Sequence, residues 1–300
     1  MKNGAKWPLV ASAAAAAAVY ADNQRICVTN YTVKSPKLPL AFHGYKIVQI
    51  SDLHGKCFGE GNSRLLGAVR RQNPDLVAVT GDLVSSRKRA AYWLFGFLKE
   101  LASEYPVVFV PGNHEQKTTK NRYEKLICDL KLQYVKCLDN EKTVLKRGSE
   151  EISLYGLTIP LHYYHYLHDP SAKDCYLTDS AVAERLGPCG QDAFSVLLAH
   201  NPLYFPSYAK WGADLTLAGH MHGGSVRLPG GGGLLSPERE FFPRYCSGKF
   251  TFRGKTMIVS RGLGDSLGIR LFNPPELPAI TLRKEQENGL FADGGRPVRL

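Results

Sequence analysis

The sequence predicts a layered α/β fold in which amphipathic helices cover a largely parallel or mixed sheet. Two observations lead there. Short apolar runs, β-branched or rich in leucine, recur along the chain and are bounded by Gly, Pro, Asn or Asp, as buried strands are. Between several of them lie amphipathic stretches of helical length, and that alternation marks helices packed over a sheet. Of the 300 residues, 44% are apolar and 22% charged, the composition of an ordinary globular chain with ample core. Those proportions exclude a polytopic membrane protein, a fibrous chain and a mostly disordered one.

The first 35 residues stand apart. Lys2 and Lys6 precede the uncharged run Trp7–Ala21, which is alanine-rich and short of the roughly 20 apolar residues of a spanning helix. Ending in Val19-Tyr20-Ala21, it reads as a signal peptide or as an uncleaved anchor. Lysines ahead of the run would put the body of the protein outside the cytoplasm, at a membrane. Residues 1–35 are therefore set aside as anchor or signal segment plus linker. Residues 36–284 are expected to form the domain, and 285–300, glycine-bearing and poor in apolar side chains, a loose tail.

Within the domain the expected strands are Lys46–Ile50, Leu76–Thr80, Val107–Val110, Ile152–Leu157, Val196–Ala199, Leu215–Ala218, Met257–Ser260 and Ile280–Leu282. Asn62–Gln72 and Ala90–Ser103 carry helical periodicity, and Asn73-Pro74 stops the first of them. Leu228–Leu235 (LPGGGGLL) reads as a flexible loop or hairpin tip. No internal repeat is visible.

Charge and cysteine usage narrow the partners. Lys+Arg at 38 against Asp+Glu at 27 leaves +11, which suits an anionic partner such as a phosphorylated substrate, lipid headgroups or nucleic acid. The seven cysteines (Cys27, Cys57, Cys128, Cys137, Cys175, Cys189, Cys246) are scattered and form no C-x-x-C pair. That pattern is neither a zinc ribbon nor a disulfide framework, and reduced, mostly buried thiols are expected.

The chemistry sits where strands end. Lys46–Ile50 runs into Asp52-Leu53-His54, Leu76–Thr80 into Gly81-Asp82, and Val107–Val110 into Gly112-Asn113-His114-Glu115. Val196–Ala199 is followed by His200, and Leu215–Ala218 by Gly219-His220-Met221-His222-Gly223. Sites in open α/β sheets gather beyond the carboxyl ends of the strands, so these five ends are expected to converge. Asp52 and His54, like His220 and His222, are two apart, which in extended chain points both side chains to one face. Two carboxylates, an amide oxygen and up to four imidazoles suit Mn, Fe, Zn or Co. Seven donors are too many for one tetrahedral ion and enough for two divalent ions sharing a carboxylate. Two such ions less Asp52, Asp82 and a hydroxide leave a local charge of about +1, which attracts a phosphate oxygen.

Asp52-Leu53-His54, Gly81-Asp82, Gly112-Asn113-His114-Glu115, His200 and Gly219-His220-Met221-His222 together resemble the signature of the calcineurin-like metallophosphoesterases, in order and spacing, across roughly residues 44–283. The resemblance implies a four-layer α/β/β/α sandwich of two mixed sheets. It implies Asp52, His54 and His222 on one metal, Asn113, His200 and His220 on a second, Asp82 bridging both, and His114 as the non-ligating acid that contacts phosphate and protonates the leaving oxygen. A metal-bound hydroxide would then attack phosphorus in line. The apolar N-terminal segment, Val48–Ser51, His200-Asn201-Pro202 and Ser260–Gly264 further resemble a membrane-associated bacterial branch with proteins similar to UDP-2,3-diacylglucosamine pyrophosphatases.

Two places depart from the family pattern. Ser85 stands where relatives often carry an acidic residue, and Leu161–Leu167 with the segment to Gly190 is an elaboration expected to shape the substrate entrance. The stripe His162, His165 and His168 among tyrosines reads as a surface or packing feature, or, if helical, as an amphipathic cap touching lipid or substrate. Arg87-Lys88-Arg89 reads as a solvated charge run, with phosphate or headgroup contact as the alternative. Cys57 reads as an ordinary small buried residue. The function expected is a dinuclear metal-dependent phosphoesterase, a monomer acting on a phosphorylated small-molecule or lipid-linked substrate. The alternatives are a nuclease of the same superfamily and a non-catalytic interaction module. No nucleic acid is expected, because the basic residues are spread instead of striped.

Overall fold

A computed structural model of the chain describes residues 6–86, 92–164, 175–190, 192–224, 226–227, 232–236, 240–265 and 270–285. In chain order the first half holds α1 (Lys6–Gln24), β1 (Cys27–Ser35), β2 (Lys46–Ile50), α2 (Ser63–Gln72), β3 (Leu76–Thr80), α3 (Tyr92–Glu104), β4 (Val107–Val110), α4 (Asn113–Gln116) and α5 (Lys120–Leu132). The second holds β5 (Lys136–Cys137), β6 (Glu141–Arg147), β7 (Glu150–Leu157), α6 (Asp179–Leu186), β8 (Ser195–Ala199), α7 (Phe205–Trp211) and β9 (Leu215–Ala218). It closes with β10 (Val226–Arg227), β11 (Gly233–Leu235), β12 (Gly248–Phe252), β13 (Lys255–Val259) and β14 (Glu276–Lys284). Each of the eight expected strands is found, Met257–Ser260 ending one residue early at Val259. All seven cysteines are free thiols.

Two six-stranded mixed sheets carry the fold, in the orders β1-β14-β2-β3-β4-β5 and β12-β13-β9-β8-β7-β6. In the first, β14 meets β2 antiparallel and every other pairing is parallel. In the second, β13, β9, β8 and β7 run parallel and the two edge strands antiparallel. Strand alternation divides the side chains between layers. Leu76 and Ala78 of β3 face the core between the sheets, with Ile152, Val196, Leu217 and Ile258 opposite. Val77 and Val79 face the other way, onto Leu65 and Val69 of α2 and Phe97 and Leu101 of α3. The second sheet buries Leu157 and Leu197 against Val182 of α6 and Tyr208 and Trp211 of α7. The result is the expected α/β/β/α sandwich.

α2 forms because Leu65, Leu66, Ala68 and Val69 make one apolar stripe. It stops at Asn73, whose φ of 45° is left-handed, with Pro74 beyond it unable to continue a helix.

Residues 1–35, set aside as anchor or signal segment plus linker, contain one strand of the first sheet. β1 pairs with β14 in parallel register from Cys27↔Glu276 to Ser35↔Lys284, so the folded body begins near Cys27. Without β1, β14 would present a row of unpaired backbone groups at the sheet edge. β6 and β12 were also absent from the expected strands. Their charged or alternating residues, EKTVLKR and GKFTF, lie at or near a solvent edge and form no apolar run. Of the glycine-rich stretch, Gly233–Leu235 pairs antiparallel with β10, while 228–231 lie outside the described residues. So do Arg87-Lys88-Arg89, His165, His168 and the tail from residue 286 onward. Among the described residues no helix is long and apolar enough to cross a membrane.

Candidate metal centre

Because β2, β3 and β4 run parallel in one sheet and β8 and β9 in the other, their carboxyl ends gather at one end of the sandwich. β2 delivers Asp52 and His54, β3 Asp82, the β4–α4 junction Asn113 and His114, β8 His200, and β9 His220 and His222. Asp52, His54, Asp82, Asn113, His200, His220 and His222 are all buried. The donor atoms of Asp52, His54, Asp82 and His222 lie within 4.8 Å of one another, as do those of Asp82, His200 and His220. Asp82 belongs to both groups.

The local reason given for the i, i+2 pairs needs correction. Asp52, His54, Asp82, His220 and His222 have φ between 48° and 67°, so the pairs share a focus through left-handed turns and not through extended chain. Side chains with a Cβ resist that region, at a cost of order 1–3 kcal/mol each. Glycines allow the close approach. A Cβ on Gly112 would lie 2.3 Å from Asp82 Oδ1, and one on Gly219 would lie 1.9 Å from Ser51 Oγ.

Hydrogen bonds set which atom of each side chain faces inward. His200 Nδ1 lies 2.7 Å from the Thr80 carbonyl and His222 Nδ1 lies 3.2 Å from that of Gly264. Each carbonyl assigns the proton to Nδ1 and turns Nε2 to the centre. There His200 Nε2 is 3.2 Å from Asp82 Oδ2 and 3.7 Å from Asp52 Oδ1. His54 Nε2 is 3.2 Å from His222 Nε2 and 3.7 Å from Asp82 Oδ2. Ser51 Oγ donates to Asp52 Oδ2 at 2.6 Å, and the His220 N–H to Asp52 Oδ1 at 3.1 Å. The His114 N–H donates to Asp82 Oδ1 at 2.8 Å.

Charge follows from this crowding. Burial opposes ionisation of both aspartates, yet the surrounding imidazoles hold Asp52 below, and Asp82 well below, the usual carboxylate range. Burial holds His54 down to about 3, Asp82 opposing and His222 adding to it. His200 is also opposed by burial, but the Asp82 and Asp52 carboxylates lift it to about 10. One proton at His200 answers two carboxylates, and the His54 and His222 nitrogens confront each other at 3.2 Å. Two buried carboxylates beside the facing His54 and His222 nitrogens fit a cation between them, and the all-N/O set fits a divalent transition ion.

His114 differs. Its Nδ1 accepts from the Ser86 N–H at 3.2 Å, which leaves the ring proton on Nε2, 4.0 Å from Asp82 Oδ2. Its side chain is 14% exposed where those of Asp52, His54, Asp82, His200 and His222 are 5% or less. Burial, with Lys117 and the neighbouring imidazoles, lowers its pKa against the pull of Asp82. It is placed to donate, at the edge of the cluster.

A model of the calcineurin-like phosphoesterase family matches residues 45–224, more than half of the chain. The chain belongs to this family. As a calcineurin-like phosphoesterase it is a metal-dependent phosphoester hydrolase with a buried Asp/His cluster. YkuE, an uncharacterized metallophosphoesterase of Bacillus subtilis, is 26% identical over 270 residues and covers 88% of both chains. The phosphodiesterase YaeI of Escherichia coli is 27% identical over 241 residues, 79% of this chain and 82% of its own. Among solved structures, the phosphopantetheinyl hydrolase of Mycobacterium tuberculosis aligns with a TM-score of 0.47 at 15% identity, covering 73% of this chain and 89% of that one.

Several residues that build this calcineurin-like site went unassigned from sequence. Glu115 is buried and accepts from the N–H groups of Asp82, Val84 and Gly112 at 2.8–3.0 Å; it ties the β3 and β4 loops together. Its place in the Gly112–Glu115 motif was the available signal. Arg270 lies beyond the matched stretch, and nothing near it in sequence marks it. Its guanidinium is buried and donates to the carbonyls of Asn273, Gly264, His222 and Arg261. Tyr164, from the elaboration after β7, sets its ring edge-on against His220 at 5.0 Å. His162 instead packs on Tyr163 at the surface, outside the cluster. Cys57 Sγ donates to the Gly59 carbonyl and is not a ligand, and Ser85 is buried beside the Asp82 loop.

Proposed function

We propose that the protein is a dinuclear phosphoesterase, hydrolysing a phosphate ester or pyrophosphate bond in a phosphorylated small-molecule or lipid-linked substrate. The observation that carries it is the Asp82 carboxylate shared between two groups of donors. Asp52, His54 and His222 would hold one ion, Asn113, His200 and His220 the other, with Asp82 between them. Mn, Fe, Zn and Co all suit these donors. Such ions, when bound, neutralise charge on a phosphoryl group and lower the pKa of water.

The chain's own residues do the rest. The Thr80 and Gly264 carbonyls keep His200 and His222 in the ligating tautomer. Glu115 holds the backbone that carries Asp82. Protonated on both nitrogens, with Ser86 Oγ beside Nδ1, His114 would pass its Nε2 proton to the leaving oxygen and return to the neutral ring. The test is elemental analysis of protein loaded with Mn²⁺, alongside turnover of an aryl phosphate ester. About two ions per chain, with turnover dependent on them, are expected. Turnover that survives complete removal of metal would overturn the reading.

A further inference from the structure

The rim of the metal centre lies against the N-terminal helix. A cavity of about 560 Å³ has Ala16, Val19 and Tyr20 of α1 on one wall and His54, Lys56 and Arg270 on the other. The last turn of α1 is clamped there. Asn23 Nδ2 donates to the Arg270 carbonyl at 2.9 Å, Lys56 Nζ to the Asn23 carbonyl at 2.5 Å, and Arg64 to the Gln24 carbonyl at 2.9 Å. From this clamp the helix runs outward through residues that carry no charge between Trp7 and Ala21, with Val10, Ala14 and Ala17 exposed.

A second apolar feature shares the same side. Phe241, Phe242 and Phe272 are 69%, 67% and 66% exposed. They sit on one small β patch: Val226 bridges Leu271 and pairs with Leu235, and Leu235 bridges Phe241. A cavity of about 390 Å³ is lined by Leu271 and Phe272 together with Ala18 and Val19, so patch and helix are neighbours. Arg25 lies at the foot of the helix and lines that cavity, and Arg244 follows Phe242 by two residues. Asp22 pairs with Arg25; Glu240 and Asp265 are the other carboxylates nearby in sequence or cavity lining. The uncharged helix and the exposed phenylalanines lie side by side. Apolar side chains that protrude from a chain of net charge +11 complement an anionic lipid surface.

We propose that α1 and the Phe241–Phe242–Phe272 patch form one face that docks on an anionic bilayer, turning the cavity beside His54 toward the headgroups. The phosphoester the enzyme meets is then one displayed at the membrane surface; this last step rests on the phosphoesterase reading, and the docking does not.

The test uses the full-length, Mn²⁺-loaded protein and vesicles of equal parts phosphatidylcholine and phosphatidylglycerol, with phosphatidylcholine vesicles as control. The protein co-sediments with the mixed vesicles more tightly than with the control. The triple variant Phe241→Ser, Phe242→Ser, Phe272→Ser binds at least about tenfold more weakly. It keeps the melting temperature, metal content and soluble aryl-phosphate turnover of the parent. Mixed vesicles slow turnover of the soluble ester by the parent, whose cavity faces the bilayer, and leave the triple variant unaffected. Equal vesicle binding by parent and variant overturns the docking face, and full turnover by vesicle-bound parent overturns the orientation. Vesicle binding lost in the variant, from a parent that hydrolyses no ester, supports the docking face and removes only the phosphoesterase reading.

Discussion

At the residue scale, the clearest contrast lies between Asp82 and His114. Asp82 faces both donor groups, so Asp82→Ala is expected to lower metal occupancy and to abolish activity. His114 sits at the edge with its proton on Nε2, so His114→Ala is expected to keep its metal and lose about 10²–10⁴-fold in turnover of esters with poor leaving groups. Metal analysis of the two variants beside their rates checks both, and His114→Ala with unchanged turnover would remove the general-acid role. Arg270 yields a second prediction. Burial lowers its guanidinium to about 10, yet its donors reach four carbonyls, and the Gly264 carbonyl among them also accepts from His222 Nδ1. Arg270→Met strands those carbonyls. It should weaken metal binding about 10–100-fold and destabilise the fold by about 3 kcal/mol. Arg270→Lys should not rescue it, because one ammonium does not span the fork. Metal titration and thermal unfolding report the two effects separately.

At the scale of elements, the strands that carry the site were legible because they are buried on both faces and therefore read as unbroken apolar runs. Leu76–Thr80 and Leu215–Ala218 have the same bounds in sequence and structure. β1 was hidden. Its Val, Thr and Tyr residues have strand propensity, but they follow the alanine-rich run and lie at a sheet edge, where half-exposure breaks the pattern. A chain beginning at Pro36 should therefore be poorly soluble or melt well below one beginning at Arg25, since only the longer chain covers the edge of β14. Equal melting temperatures would show that β1 is dispensable. Helix α3 is the counterpart on the outer layer. Phe97 is buried between α3 and the first sheet, and Phe97→Ala should cost about 3–5 kcal/mol by denaturant unfolding.

For the molecule as a whole, packing sorts groups of one chemical type. Cys128 is exposed on α5, whereas Cys137 is buried and its thiol is pushed by burial up to about 11. Alkylation of the native protein near neutral pH should reach Cys128 first and spare Cys137 until unfolding, as peptide mapping would reveal. The motif residues, the donor chemistry and the positions of the buried strands were readable from the chain alone, because each depends on residue types a few positions apart. The left-handed turns at Asp52 and His220, the tautomers of His200 and His222, the roles of Glu115 and Arg270, and the docking of α1 at the rim were not. Each depends on which backbone carbonyl or N–H lies across the sheet from a given side chain, a relation set when two sheets pack face to face and absent from any local pattern of residues.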